Sequence, residues 1–256
     1  MIASQELQQY WEQGYVVLPD CLDASVLDEV ESRLDYYDAD HHERLLGVGK
    51  EGISRANEIA FTANLAGKDR VLAEFVGSDP FVELATRILG PNVQLYWDQA
   101  VYKRPETAQD FPWHQDTGYV PTDPAHYLTC WIPLVDATID NGCIWVIPGS
   151  HRQGMVTHQP TALGLQCYFG PDRGVPVPVS RGSVIAFSSL LFHRSGPNVS
   201  SQMRKAYVVQ FSVEHAKHAL TGEEFHNGPV IARGGRRVLS SPPHDDATTN
   251  SQGDEG

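Results

Sequence analysis

Val93-Gln94-Leu95-Tyr96-Trp97-Asp98-Gln99-Ala100-Val101-Tyr102-Lys103 marks the point where the texture of this chain changes. From here on, short segments rich in Val, Ile, Tyr, Trp and Phe alternate with Pro, Gly, Asn and Asp, as in antiparallel strands joined by turns. Further strands are expected over Tyr127 to Leu134, Cys143 to Ile147, Ser183 to Phe187 and Lys205 to Val213. If the opening strand is regular, Trp97, Gln99, Val101 and Lys103 share one of its faces. Upstream, the pattern is helical over Ser4 to Gln13 and over Asp23 to Leu34, where Leu27, Val30 and Leu34 fall at helical spacing. Between these helices lies a β-type run, Tyr15-Val16-Val17-Leu18. A third helical region, about Asp69 to Leu89, is interrupted near Gly77-Ser78-Asp79-Pro80. Helices first and many short strands afterwards predict an α+β protein built around a double sheet or barrel.

The 256 residues suit one barrel-type domain, expected over residues 1–226. From Asn227 to Gly256 the chain is rich in Gly, Ser and Pro and ends in acidic residues, so a mobile tail is expected there. Lys and Arg number 19 against 32 Asp and Glu, a formal charge of −13 that disfavours nucleic acid as a partner. No apolar run approaches the roughly 20 residues of a membrane-spanning helix, so no membrane role is expected. The cysteines Cys21, Cys130, Cys143 and Cys167 show no C-x-x-C spacing and read as thiols of a reducing compartment. With neither a basic segment nor an apolar stretch at the N-terminus, the expected location is the cytoplasm. The pattern sets no oligomeric state.

The chemistry is carried by a few positions. Trp113-His114-Gln115-Asp116 places an imidazole and a carboxylate two residues apart, and in an extended strand these project from one face. A second imidazole, His193, follows the buried-strand pattern Ser183-Val184-Ile185-Ala186-Phe187 and precedes the turn-forming Ser195-Gly196-Pro197-Asn198. Two histidines and one carboxylate on one side of a metal leave open positions, the facial triad of non-haem iron(II) oxygenases. A bidentate 2-oxo acid and O₂ would fill them, and the acid's distal carboxylate would need a cation further along the pocket. Arg204 is suited to that task because a guanidinium can engage a carboxylate bidentately. The same donors also suit zinc, so a redox-inactive metal hydrolase or lyase is an alternative reading.

His114-x-Asp116, the distant His193-x-Ser195 and the following Arg204 together resemble the phytanoyl-CoA dioxygenase family. The resemblance begins at Gly14-Tyr15-Val16-Val17-Leu18-Pro19-Asp20, runs through Trp97 to Lys103 and Pro112 to Asp116, and includes Asn141-Gly142-Cys143 with Pro148-Gly149-Ser150-His151. It implies a double-stranded β-helix, or jelly-roll, flanked by the N-terminal helices and holding iron(II) with 2-oxoglutarate at its mouth. His114, Asp116 and His193 match the family's iron ligands, and Arg204 with Ser195 matches the pair that fixes the co-substrate's distal carboxylate. Lys103, Phe111 and Trp131 are similar in position to residues that line the co-substrate pocket. The implied reaction uses O₂ and 2-oxoglutarate to oxidise a small organic substrate, releasing succinate and CO₂. A non-catalytic 2-oxoglutarate-binding module on the same fold is the other alternative. The chain departs from the family at Gly182-Ser183, where relatives often carry an acidic residue. Related halogenating enzymes lack the carboxylate of Asp116, so its presence favours hydroxylation.

If Lys103 points inward then Gln99 does too, as a substrate contact. Tyr119 belongs either to a loop over the metal or to the barrel's edge. Gln99, Tyr102 and Tyr119 suit a compact amino-acid-like or natural-product-like molecule, and the lack of a Lys/Arg cluster near the triad argues against an acyl-CoA. His126, His151 and His158 lack a paired ligand pattern and read as structural or surface residues.

Overall fold

The computed structural model describes residues 2–226 and 228–238. Four helices form: α1 (Ser4–Gln13), α2 (Ala24–Val48), α3 (Arg70–Val76) and α4 (Phe81–Leu89). Local chemistry sets their starts: Asp23 accepts a hydrogen bond from the Ser25 N–H (2.8 Å) ahead of α2, and Asp69 accepts from Val71 and Leu72 ahead of α3. The longer strands are β1 (Tyr15–Leu18), β2 (Ile59–Ala63), β3 (Val93–Lys103), β4 (Phe111–His114), β5 (Leu128–Pro133), β6 (Ile144–Val146), β7 (Val175–Val177), β8 (Val184–Ser188), β9 (His193–Ser195), β10 (Arg204–Val213) and β11 (Val230–Arg233).

They form two facing antiparallel sheets. The larger runs β1–β8–β5–β10–β3–β2, and the smaller runs β7–β6–β9–β4. Strand alternation gives the larger sheet two distinct faces. Cys130, Ile132, Tyr207, Val209 and Phe211 pack under the helices with Leu27, Val30, Leu72 and Phe81. Trp131, Ile185, Phe187 and Val208 point the other way, toward Ile144 and Val146 of the smaller sheet. The result is the expected α+β jelly-roll with its functional residues between the sheets. Among the described residues no helix is long and apolar enough to cross a membrane.

Three features differ from the sequence reading. Helix α2 continues past Leu34 to Val48, because Asp38, His41 and Leu45 extend its buried stripe and the first two are polar. Strand β2, absent from the reading, pairs along β3 from Ile59 opposite Lys103 to Ala63 opposite Gln99; a five-residue apolar run does not by itself distinguish helix from strand. The expected tail does not begin at Asn227: Val230 pairs with Gln94 and Ala232 with Val93, and Ile231 and Ala232 are buried. The apolar triplet Val230-Ile231-Ala232 outweighs the surrounding Gly and Pro, while residues 239–256 of the expected tail lie outside the described residues.

Candidate active site

His114 ends β4 and His193 begins β9, and the register pairs them across the two strands. Asp116 opens the short helical turn Asp116–Gly118 that follows β4. His114 Nε2 lies 3.6 Å and His193 Nε2 3.4 Å from Asp116 Oδ1, and ligating atoms of all three residues fall within 4.8 Å of one another. Among the described residues this is the only such group of His, Cys, Asp and Glu.

The hydrogen bonds show what these atoms can do. His114 Nδ1 is 2.8 Å from the Pro112 carbonyl and His193 Nδ1 is 3.0 Å from the Leu191 carbonyl. A carbonyl only accepts, so each Nδ1 carries a proton, which leaves Nε2 as the atom each ring can offer to a metal. Burial, with His193 alongside, pushes His114 down to about 4, which keeps it neutral at physiological pH. Asp116 Oδ2 accepts from Thr129 Oγ1 (2.6 Å) and Gln210 Nε2 (2.9 Å), leaving Oδ1 to face the imidazoles. The two Nε2 atoms and Asp116 Oδ1 thus converge on one point, an arrangement that a divalent cation satisfies. Two histidines and one carboxylate with other positions open fit iron(II).

Two cavities meet at the triad, sharing Phe61, Gln99, Phe111, His114 and Asp116 as walls. The inner one runs between the sheets past Trp131, Ser195 and Val208 to Arg204. Arg204 is 1% exposed, and its guanidinium donates to the Val101 carbonyl (3.0 Å) and lies over the Trp131 ring at 5.5 Å. Its Nε has no partner, and among the described residues no carboxylate forms an ion pair with it. Burial pushes Arg204 down to about 10, so it remains a cation at neutral pH. A buried, unpaired guanidinium is costly unless an anion binds it, so the inner cavity fits a carboxylate.

The outer cavity, about 340 Å³, opens from the triad past Tyr96, Trp97, Tyr119 and Phe225. Tyr96 enters it because of a bulge: Gln210 pairs with Trp97 and Phe211 with Leu95, so Tyr96 is the extra residue and neighbouring rings turn the same way. The turn between Gln159–Thr161 and Gly164–Gln166 closes over this region, and the Leu165 N–H donates to the Tyr119 hydroxyl at 3.0 Å. Gly164 is required there, since at φ +82° any Cβ would lie 2.5 Å from that hydroxyl.

Phe111, Trp131, Ser195, Arg204 and Gln99 all line the inner cavity, and Tyr119 lines the outer one. Lys103 stands opposite Arg204 in the register but off both walls, and its buried ammonium donates to the Gly196 carbonyl. Tyr102 is corrected outright: it sits on the helix side of the larger sheet and donates to Asp35 at 2.7 Å. His126 and Tyr10 are hydrogen-bonded at 2.9 Å, His151 Nε2 lies 3.1 Å from the Trp11 carbonyl, and His158 accepts from the Gln115 N–H. Thr129 and Gln210 were missed, as were Tyr96, Tyr127 and Phe225. Alternation along β10 from Arg204 would have reached Gln210, whereas Tyr96 needs the bulge and Phe225 the C-terminal crossing. A larger cavity of about 910 Å³, lined by Trp113, Trp145 and Arg194, includes none of the triad.

The profile of the phytanoyl-CoA dioxygenase family matches residues 10–206. A phytanoyl-CoA dioxygenase of Arabidopsis thaliana is 33% identical over 150 residues, covering 54% of this chain and 51% of that protein. The phytanoyl-CoA dioxygenase domain-containing protein 1 of Danio rerio is 24% identical over 261 residues, covering 81% of this chain and 89% of its own. The chain spans about half the length of the first of these relatives. Among solved structures, the non-haem α-ketoglutarate-dependent carbocyclase SnoK superposes with a TM-score of 0.69 at 23% identity, covering 85% of this chain and 86% of that one. The epimerase SnoN, crystallised with Fe³⁺, α-ketoglutarate and nogalamycin RO, gives 0.67 at 19% identity over 93% and 96%. These likenesses show a shared fold.

Proposed function

Because the chain belongs to the phytanoyl-CoA dioxygenase family, we propose that it is an iron(II)- and 2-oxoglutarate-dependent dioxygenase that hydroxylates a C–H bond of a small organic substrate. The observation that carries this reading is the pairing of a three-residue metal site with an unpaired buried guanidinium at the far end of the adjoining cavity. His114, Asp116 and His193 would hold iron(II), and Arg204 with Ser195 would receive the distal carboxylate of 2-oxoglutarate. When bound, the metal and co-substrate supply the oxidising power: O₂ and 2-oxoglutarate are consumed, succinate and CO₂ leave, and one oxygen atom is left on the substrate.

This chain's own groups bind, orient and exclude water. Thr129 and Gln210 fix the Asp116 carboxylate so that a single oxygen faces the metal position. Backbone carbonyls fix both imidazole tautomers, and Phe111 packs edge-on against His114 with centroids 4.9 Å apart. Trp131 lies against Arg204 and shields the guanidinium from solvent, which strengthens its attraction for a carboxylate.

The test is anaerobic titration of metal-free protein with iron(II) and then 2-oxoglutarate. A weak visible charge-transfer band that saturates in the native protein and is lost in Asp116→Ala is expected, followed by succinate release in a substrate screen. Turnover supported by zinc without O₂, or bound 2-oxoglutarate that no substrate causes to decarboxylate, would overturn the proposal.

A further inference from the structure

The outer cavity has a chemical character of its own. Aromatic rings supply seven of its thirteen wall residues, and Ile53 and Val120 add aliphatic surface. No Lys or Arg lines it, and its one carboxylate is Asp116, which the metal position and two donors already engage. An anionic substrate would therefore surrender its hydration without a counter-charge, and a zwitterion would lack partners for both ends. The amino-acid-like molecule considered from the sequence does not suit such a wall.

Apart from the Gln210 side-chain oxygen, whose amide nitrogen is spent on Asp116 and Thr129, the polar side-chain atoms that remain can donate. Gln99 Oε1 accepts from the Trp97 indole N–H at 3.2 Å, which leaves its amide N–H groups without a partner among the described residues. The Tyr119 oxygen accepts from the Leu165 N–H, so its own hydrogen is left to donate. The Tyr96 and Tyr119 hydroxyls are phenols, which donate as well as accept. Donors set among ring faces select for carbonyl or ether oxygens on a flat or alicyclic body. The volume of about 340 Å³ lies at the lower end of the range for small-molecule sites, so the occupant is compact.

Resting on the oxygenase reading of the same site, we infer that the substrate is an uncharged aromatic or alicyclic molecule bearing carbonyl or ether oxygens, with Gln99 as the residue that selects those oxygens. Gln99 lines both cavities, so a ligand oxygen held by its amide brings the neighbouring carbon toward the triad.

The test measures binding rather than turnover. Isothermal titration under anaerobic conditions, with protein loaded with iron(II) and 2-oxoglutarate and again with metal-free protein, compares three bicyclic probes: neutral 1-tetralone, anionic 2-naphthoate and cationic 2-naphthylmethylammonium. Tetralone is expected to bind about tenfold or more tightly than either charged probe, as a net penalty of about 1.4 kcal/mol for an unpaired charge requires. Gln99→Leu should weaken tetralone about fivefold, the worth of one hydrogen bond. Gln99→Glu should reverse the order in favour of the ammonium probe. Equal or tighter binding of naphthoate would overturn the inference, as would a preference of the native protein for the ammonium probe, which would mark an aromatic cage for cations. Failure of all three probes to bind would overturn it too. The metal-free arm separates this inference from the oxygenase reading, which fails only if iron(II) and 2-oxoglutarate do not bind or react.

Discussion

Two buried polar groups of the larger sheet, one on each face, are held on different terms. On the helix side Asp98 is 2% exposed, and its carboxylate accepts from the Leu65 N–H (2.9 Å), the Ala66 N–H (3.0 Å) and the Tyr207 hydroxyl (2.8 Å). On the side facing the smaller sheet, Arg204 is buried as deeply yet keeps one nitrogen unpaired and no carboxylate beside it. Tyr207 and Arg204 stand three residues apart on one strand, so alternation alone sends them to opposite faces. A polar group that is fully satisfied within the fold supports the fold; one left unsatisfied, as Arg204 is beside an open cavity, costs stability until a ligand completes it.

The largest effects should follow from breaking the unsatisfied side. Asp116→Ala removes the one carboxylate of the metal group and is expected to abolish succinate release, with iron lost on dialysis. Full activity in that variant would refute the ligand assignment. Next comes a pair that sets the two faces against each other. Phe211→Ala, on the helix side, should cost about 3–5 kcal/mol of stability through the cavity it leaves. Any 2-oxoglutarate binding that remains in the folded protein should be near normal. Arg204→Met should do the reverse, weakening 2-oxoglutarate by about 100-fold or more. It should also raise the melting temperature of the metal-free protein, because exchanging an uncompensated buried charge for an apolar side chain relieves about 1–4 kcal/mol. Calorimetry of both variants decides it, and a melting temperature that falls in Arg204→Met as it does in Phe211→Ala would erase the distinction between the faces.

How much of this was legible beforehand follows the same division. The strand from Val93 to Lys103, the helices flanking Tyr15–Leu18 and the break at Pro80 are written in local periodicity and turn chemistry, which a single chain displays. The triad and Arg204 were legible because their types and order form a recognised combination, although nothing local brings His193 to His114. Tyr96, Phe225 and Thr129 were not legible: the first depends on a bulge set by pairing with β10, the second on a crossing from the far end of the chain, and the third on which face of β5 looks toward the metal. Tyr102 shows the converse error, an aromatic residue assigned to the site by its proximity in sequence when parity places it beneath the helices.

A smaller effect should come from Gln210, which touches the metal position only through Asp116. Gln210→Leu removes one of two donors to Asp116 Oδ2 and leaves Thr129 in place. Apparent iron affinity is expected to fall about 10-fold, at the low end for a residue that orients a metal ligand. Competition with a chelator measures it. Gln210→Glu, whose carboxylate would repel that of Asp116 unless protonated, should fall further and show affinity that improves as the pH is lowered toward 5.

The smallest effect concerns Lys103, on the same face and 0% exposed. Burial, reinforced by the Arg204 guanidinium, pushes its ammonium from the ordinary 10.5 down to about 7. Below pH 7 both folded and unfolded chains carry the proton, and the fold bears the full penalty of burying the charge. Between about 7 and 10.5 the unfolded chain binds more protons than the folded one, so this penalty is relieved as pH rises. Lys103→Met removes the charge in both states and forgoes only the hydrogen bond to the Gly196 carbonyl. The stability of the variant relative to the native protein should therefore be greatest at pH 6 and decline through pH 9, read from urea denaturation at each pH. A difference that stays level would mean that Lys103 keeps its ordinary proton affinity. A second cation would then stand permanently charged behind Arg204, and the inner cavity would be built for more negative charge than one carboxylate brings.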